Sequence, residues 1–407
     1  MKATSLCFAL LSTSLPLSFA GTALAGPMQD IGTSAGPQCS SADANNSGQV
    51  VGTCVESSGS TTGFFAPSPG SAVTLTELTN SRSCAASAIT NSGRIVGTCL
   101  DSDSLPTSVI WSTTTTTSPQ ELGALAGAVR SQATAYNEAG ALAGVSIESD
   151  GIALPVMWRN GETTARMLPV GLLGLTATNC SPADVDNVAA DPNFPTIVGN
   201  CPGTSGRPKP ILWTKGGLLS SYVDSTLPLP AGAGYCTTRR INNGRILGNC
   251  DFGAQGSKTV LWSTPAVAPT VLITTPGRNS GRALNANGAV IGHYVNGTGD
   301  FIPYYWDTTT NTRTDIPTLD PNEDAGVTAI ADNGAVVGTS EVSAGPSHAI
   351  SWSLAGGTVD LGTLPGGENS RSSAISSNGC YMTGSSETGV SNAVHAVLTN
   401  LCGSGSK

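Results

Sequence analysis

The sequence is poor in charged residues, and several classes of segment are missing from it. Only 11% of its 407 residues are Asp, Glu, Lys or Arg, whereas 39% are hydrophobic, a balance that predicts a folded chain rather than a disordered one. Sustained helical periodicity is absent, and beyond the N-terminal stretch no run approaches the ~20 apolar residues of a membrane span. The net charge of −9 argues against nucleic acid or an anionic membrane as the main partner.

Familiar catalytic and metal-binding motifs are also scarce. The chain has three histidines and no H-E-x-x-H, Walker or dinucleotide-binding signature. No C-x-x-C occurs, so the cysteines do not have the spacing typical of a zinc site. The absence of a recognisable catalytic set favours a binding protein, but a carboxylate mechanism leaves no local signature, and the question of enzymatic activity stays open.

The N-terminus has the features of a secretory signal peptide. Lys2 precedes an apolar stretch that ends in the A-x-A sequence of residues 23–25, which predicts a signal peptide over residues 1–25. The expected mature protein is exported to the periplasm or the extracellular space and has no membrane span. We predict a single repeat domain over residues 26–402, a short flexible tail over 403–407, and a monomer.

A unit of about 45 residues is repeated along the chain. Each copy contains a hairpin with an Asn/Gly turn, followed by two further short apolar segments, and so predicts four short strands. The glycines of these turns are Gly48, Gly93, Gly140, Gly244, Gly288, Gly334 and Gly379. A further, degenerate copy ends at Cys201. The pattern predicts an all-β fold, a β-propeller of about eight four-stranded blades; seven blades or a β-solenoid is the second choice.

The two ends of the chain predict how the ring closes. The last copy stops after its third strand, and residues 28–36 read like the missing fourth strand because they parallel residues 358–367. We therefore predict that the N-terminal strand completes the last blade and removes an exposed sheet edge.

Ten cysteines remain once Cys7 is removed with the predicted signal peptide, and an even number in an exported protein is typical of disulfides. In the first two copies the cysteines occupy equivalent places on the two hairpin strands, where they face each other. The predicted pairs are Cys39–Cys54, Cys84–Cys99, Cys180–Cys201, Cys236–Cys250 and Cys380–Cys402.

The repeat resembles that of the extracellular HAF-repeat family of bacteria, whose unit reads DLGTLGG…A…IN..GQVVG…HAF.W. Matching residues are DLGT at 360–363 with the glycines at 366–367, NGAVVG at 333–338, and HAISW at 348–352. The resemblance covers essentially the whole mature chain and implies an exported, propeller-like protein. It implies no reaction that transfers residue by residue.

Four arginines are candidates for ligand binding: Arg82, Arg130, Arg278 and Arg371. All lie in the connection between the fourth strand of one copy and the first strand of the next, so they are expected on one face of the ring, where they suit carboxylate, sulfate or phosphate groups. The alternative is ordinary pairing with nearby acidic or backbone groups. His293 is a further candidate because it alone among the histidines departs from the repeat.

Two other patterns have both a functional and a structural interpretation. Asp320, Asn322 and Asp324 alternate as calcium ligands do, although the following glycine and acidic residue do not fit, and a polar turn is the alternative. All six tryptophans occupy one repeat position. Such regularity favours packing over a ring of sugar-stacking platforms.

These observations favour an exported, disulfide-stapled repeat scaffold that binds an extracellular ligand, with a polysaccharide or surface glycan preferred. The first alternative is a secreted carbohydrate lyase or hydrolase that acts in the propeller mouth. The second is a protein-interaction scaffold at the cell surface.

Overall fold

The computed structural model describes residues 25–403 except 33–35, 37, 172–177, 190, 204, 217–220, 276, 344 and 391–392. Almost all of the predicted signal peptide lies outside the described residues. The described chain consists of β-strands joined by turns, with one short 3-10 helix at Gly253–Gln255. Within these residues no helix has the length and apolar character needed to cross a membrane.

The described strands form eight units, each of four antiparallel strands. Unit 1 contains β2 (Gln38–Ala44), β3 (Val50–Val55), β4 (Thr61–Ala66) and β5 (Val73–Thr74). Unit 2 contains β6 (Ser83–Ile89), β7 (Arg94–Leu100), β8 (Pro106–Ser112) and β9 (Thr115–Glu121). Unit 3 contains β10 (Arg130–Tyr136), β11 (Leu142–Ile147), β12 (Ala153–Trp158) and β13 (Arg166–Met167). Unit 4 contains β14 (Ser181–Val185), β15 (Ile197–Pro202), β16 (Pro208–Lys215) and β17 (Tyr222–Thr226). Unit 5 contains β18 (Tyr235–Asn242), β19 (Arg245–Asp251), β20 (Ser257–Trp262) and β21 (Thr270–Val271). Unit 6 contains β22 (Asn279–Leu284), β23 (Val290–Val295), β24 (Phe301–Asp307) and β25 (Thr312–Asp315). Unit 7 contains β26 (Ala325–Ile330), β27 (Val336–Glu341), β28 (Ser347–Ser353) and β29 (Gly357–Asp360). Unit 8 contains β30 (Ser370–Ile375), β31 (Tyr381–Glu387), β32 (Val394–Asn400) and β1 (Gln29–Asp30).

Units 2 to 7 are separate four-stranded sheets, whereas units 1 and 8 are joined into one eight-stranded sheet by a single parallel bridge between Gln38 and Val394. The N-terminal strand β1 pairs antiparallel with β32, so that Asp30 lies opposite Val397. The Asp30 carboxylate oxygen Oδ2 also lies 2.6 Å from Nδ1 of His395. Gln29 and Asp30, which belong to the stretch that resembles a missing fourth strand, therefore do pair with the last copy.

Every first strand carries a one-residue β-bulge at the same place. The bulged residues are Ala42, Ser87, Thr134, Ala183, Arg239, Arg282, Thr328 and Ser373. Beside each bulge the second strand has a glycine, at Gly52, Gly97, Gly144, Gly199, Gly248, Gly292, Gly338 and Gly384. A Cβ atom at any of these glycines would come within 1.9–2.5 Å of a first-strand carbonyl oxygen. Glycine therefore recurs at this position because any side chain would collide with the first strand.

The structure contains the five disulfides expected from the sequence. Four of them join the first two strands of units 1, 2, 4 and 5, with Cys180 one residue before β14, and their paired Cα atoms are 4.0–4.1 Å apart. The fifth joins Cys380, at the start of β31, to Cys402, just beyond β32. It therefore fastens the C-terminal end of the described chain to unit 8.

The tryptophans are buried on the third strands. The indole nitrogens of four of them donate hydrogen bonds of 2.7–3.0 Å to carbonyl oxygens in the connection that leaves the preceding unit; they are Trp111, Trp158, Trp213 and Trp262. The apolar cores lie between neighbouring units, as where Phe65 of unit 1 packs in one cluster with Ile89 and Trp111 of unit 2. These contacts support the packing role of the tryptophans.

Candidate ligand-binding site

The first strands of all eight units line one cavity of about 430 Å³. Six of the eight bulged residues are among its lining residues, because a bulge turns one extra side chain out of the ladder. In units 2, 3, 7 and 8 that side chain and the next are both Ala, Ser or Thr, which leaves open space at the centre. The charged residues are exceptions to this pattern, and they fall on only some of the units.

Three arginines of units 5 and 6 cluster at this cavity. Arg240 and Arg282 line it directly, and Arg239 is the bulged residue before Arg240. Nη1 of Arg240 donates to the carbonyl of Arg239 at 3.3 Å, and Nε of Arg282 donates to the carbonyl of Thr328 at 3.3 Å. None of the three forms an ion pair with any described residue. We call these residues the arginine cluster.

The charges of Arg240 and Arg282 act on Arg239. Partial burial lowers the pKa of Arg239, and the positive charges of Arg240 and Arg282 lower it further. Nearby like charges lower the pKa of an arginine in this way because they disfavour its charged form. An anion placed among them would relieve this repulsion.

Carboxyl groups line the cavity from units 1, 3, 4 and 7; they are Asp43, Glu138, Asp184 and Asp332. Asp43 is buried and accepts hydrogen bonds from the amides of Ala44 (2.9 Å) and Ile89 (3.0 Å) and from the Tyr136 hydroxyl (2.7 Å). Burial nevertheless raises the pKa of Asp43 to about 6. The same cause raises the pKa of Asp184 to about 6, although Arg240 and the Ile241 amide oppose it.

The turns between first and second strands are joined by a further set of hydrogen bonds, which we call the turn network. The amide of Asn46 donates to Asn91 Oδ1 (2.8 Å), that of Asn91 to Glu138 Oε2 (3.0 Å), and that of Glu138 to Asn187 Oδ1 (2.9 Å). Similar hydrogen bonds join unit 6 to unit 7, and unit 8 to unit 1. Burial and the charge of Asp43 raise the pKa of Glu138 to about 7. The network holds one end of the cavity in shape.

The four arginines of the sequence prediction lie in separate places, and none lines the cavity. Nη1 of Arg82 donates to the Ser102 carbonyl at 3.1 Å within its own unit, and the Nε of Arg130 is buried without a hydrogen-bond partner. Arg278 lines a groove with Lys258, and Arg371 lines another with Asp324 and Glu341. Their role in ligand binding stays a prediction.

His293 is the predicted residue that lies near the arginine cluster. Its Nε2 accepts a hydrogen bond of 3.2 Å from the Val327 amide. Burial and the charge of Arg282 lower its pKa. His293 therefore joins units 6 and 7 and lies beside the cavity rather than in its lining.

The predicted calcium ligands form a polar turn. Asp320 Oδ1 accepts from the Asn322 amide at 3.0 Å, and Asp320 Oδ2 accepts from the Ser343 hydroxyl. Asp324 lies in the groove beside Arg371. Among the described residues no group of three or more His, Cys, Asp or Glu is arranged to hold a metal ion. The calcium site stays a prediction.

Sequence reasoning missed the arginine cluster and the cavity carboxyls, yet a signal was present. At the bulge and the residue after it, four of the eight copies have only Ala, Ser or Thr. Arg239, Arg240, Arg282, Asp43 and Asp184 replace these small residues. Because the bulge breaks strand alternation, the pattern alone did not indicate which side chains face the centre.

No protein-family model and no curated protein sequence matches the chain. Solved structures do resemble it. The β-propeller domain of the Trilobed protease from Pyrococcus furiosus is 10% identical, with a TM-score of 0.50 over 84% of this chain and 98% of that one. Dipeptidyl peptidase 4 from Porphyromonas gingivalis is 11% identical, with a TM-score of 0.54 over 87% of this chain and 56% of that one.

Prolyl oligopeptidase B from Galerina marginata is 9% identical, with a TM-score of 0.55 over 81% of this chain and 52% of that one. The chain thus spans little more than half of the length of either peptidase. Structural similarity at such low sequence identity shows the fold alone and gives no information about the chemistry. The chain has a β-propeller fold.

Proposed function

We propose that the protein is an exported β-propeller that binds an extracellular polysaccharide or surface glycan in the cavity formed by its first strands. One observation carries the proposal: side chains from all eight units meet at one polar cavity. Its hydroxyl, amide, carboxyl and guanidinium groups suit the hydroxyl and acid groups of sugars. In this proposal each unit is one of eight blades, and β1 closes the ring as the outer strand of the last blade.

Export to the periplasm or the extracellular space belongs to the same proposal. Five disulfides agree with an oxidising compartment, which supports removal of residues 1–25 as a signal peptide. Membership of the HAF-repeat family, a single domain over residues 26–402 and a monomeric state are further parts of it. They rest on the sequence pattern.

The test is affinity electrophoresis of the mature protein through gels that contain neutral or acidic polysaccharides, with the polymer size measured afterwards. Retardation with the polymer intact is the expected result. Unchanged mobility across the whole panel would contradict glycan binding and favour a protein partner, the second alternative.

A second candidate function, a carbohydrate lyase or hydrolase, is favoured by the cavity carboxyls. Asp43 and Asp184 have pKa values of about 6 and Glu138 of about 7, which suits proton transfer near neutral pH. Shortened polymer in the same gels would support this function. Glu138→Gln should then abolish shortening but leave retardation in place.

A further inference from the structure

We propose that the arginine cluster is an anion subsite that takes the carboxylate or sulfate groups of an acidic polysaccharide. This inference rests on the proposed function, because it names the class of glycan that the cavity binds. Guanidinium groups form paired hydrogen bonds with planar oxyanions, and they are weakly hydrated, so they suit this task better than ammonium groups do.

The position of the cluster is the first support. Arg239 and Arg282 are the bulged residues of neighbouring units, and the equivalent residue in six other units is Ala, Ser or Thr. Arg240 and Arg282 reach the cavity, where small neighbouring side chains leave them accessible. The side chains are exposed in spite of this central location. An oxyanion in the cavity therefore has a path to their donor groups.

The lack of counter-ions is the second support. The chain has more acidic than basic residues, yet no described carboxylate lies within ion-pair distance of the cluster. By contrast, Arg166 and Arg313 on other strands both have carboxylate partners, at 2.8 and 2.9 Å. Neighbouring cations without a carboxylate at ion-pair distance repel one another, and a bound anion would offset this repulsion. Apart from the backbone carbonyls bonded by Arg240 and Arg282, the guanidinium groups have donors left for a ligand.

The test compares two variants that lose the same charge. The first is R239Q/R240Q/R282Q, and its matched control is R166Q/R207Q/R313Q, in which the arginines lie outside both the arginine cluster and the cavity lining. Binding to polygalacturonate, to its methyl-esterified form, and to dextran with and without sulfate is measured by gel retardation. Trigalacturonate binding is measured separately by calorimetry. Thermal unfolding of each variant verifies that it is folded, and R239K/R240K/R282K provides a variant that keeps the charge.

We expect wild type and the matched control to bind polygalacturonate or dextran sulfate and to bind the uncharged polymers much more weakly. The cavity variant should bind the acidic probes at least about tenfold more weakly, the effect of losing even one charge-assisted hydrogen bond. The lysine variant should recover part of the affinity. Preference for dextran sulfate over polygalacturonate would identify sulfate as the group bound.

The other outcomes show whether glycan binding, the anion subsite or both are wrong. If polymers are retarded equally with and without the arginine cluster, glycan binding stands and the anion subsite is overturned. If no polymer is retarded but trigalacturonate binds in an arginine-dependent way, the subsite stands and polysaccharide binding fails. If neither polymer nor trigalacturonate binds to the folded wild type, both are overturned. Equal weakening in the cavity variant and the matched control would show a net-charge effect alone and would also overturn the subsite.

Discussion

Replacing Gly97 by alanine tests the steric role of the glycine that recurs beside each bulge. A Cβ atom at Gly97 would lie 2.2 Å from the Ala85 carbonyl oxygen and 2.7 Å from the Trp111 ring. Neither neighbour can move aside at low energetic cost, because one is a backbone carbonyl and the other is a buried ring. Two such clashes move both a strand and a core side chain, so we expect a loss of about 3 kcal/mol in the free energy of unfolding.

Guanidinium unfolding of the oxidised protein, followed by tryptophan fluorescence, measures this loss. Gly297→Ala is the matched control, since a Cβ at Gly297 meets nothing within 4 Å. It should be neutral or stabilise by up to about 1 kcal/mol, because alanine restricts the unfolded chain. If Gly97→Ala unfolds within about 0.5 kcal/mol of wild type, or if the control loses as much, the steric explanation fails.

Three further predictions use the same unfolding assay. Replacing Cys380 and Cys402 together by serine should cost about 3 kcal/mol, from the loop entropy of a 22-residue separation, and an unchanged midpoint would show that the bond does not restrain the chain. Because the pKa of Asp43 is higher in the folded state (about 6) than its ordinary 3.8, its contribution is present below pH 4 and is lost as the pH rises through 6. Asp43 should thus contribute a loss of up to about 3 kcal/mol over this window, added to the losses from Asp184 and Glu138, whose pKa values are also raised. Asp43→Asn should reduce the wild-type loss by about that amount, and an equally steep curve would show that Asp43 does not titrate in this window. Trp262→Phe should cost about 1 kcal/mol more than Trp306→Phe, because the Trp262 Nε1 donates at 2.8 Å whereas the buried Trp306 Nε1 has no partner; equal losses would refute this.

The strands and the disulfides were predictable because their signals are local and repeated. A turn such as that at Gly93 fixes the register of its hairpin, and this register sets Cys84 opposite Cys99. The pairing of β1 was predictable for a similar reason, since the last copy lacks one segment that the N-terminus supplies. The bounds of the fourth strands were not. The third copy's fourth strand, for example, is reduced to Arg166–Met167 because only two pairs of residues face each other there.

The binding site was less predictable because it depends on contacts between units. Arg82 and Arg278 were chosen for their shared place in the repeat, but the structure gives each its own local surroundings. The arginine cluster, by contrast, joins residues of two copies through a bulge, which the sequence does not mark. The raised pKa of Glu138 has a similar origin, because folding both buries this side chain and brings the charge of Asp43 near it. Such effects need distances that a repeat pattern does not contain.

The turn network has a direction, and this direction determines where damage would appear. The amide of Asn91 in unit 2 is bonded to the side chain of Glu138 in unit 3, and the amide of Glu138 is bonded in turn to unit 4. Removing the Glu138 carboxylate therefore frees an amide in the preceding unit, while the turn that carries the substitution keeps its own bond. Hydrogen exchange should rise one unit upstream of the altered residue. From unit 1 to unit 4, the turn amide of each unit is bonded to a side chain of the next unit.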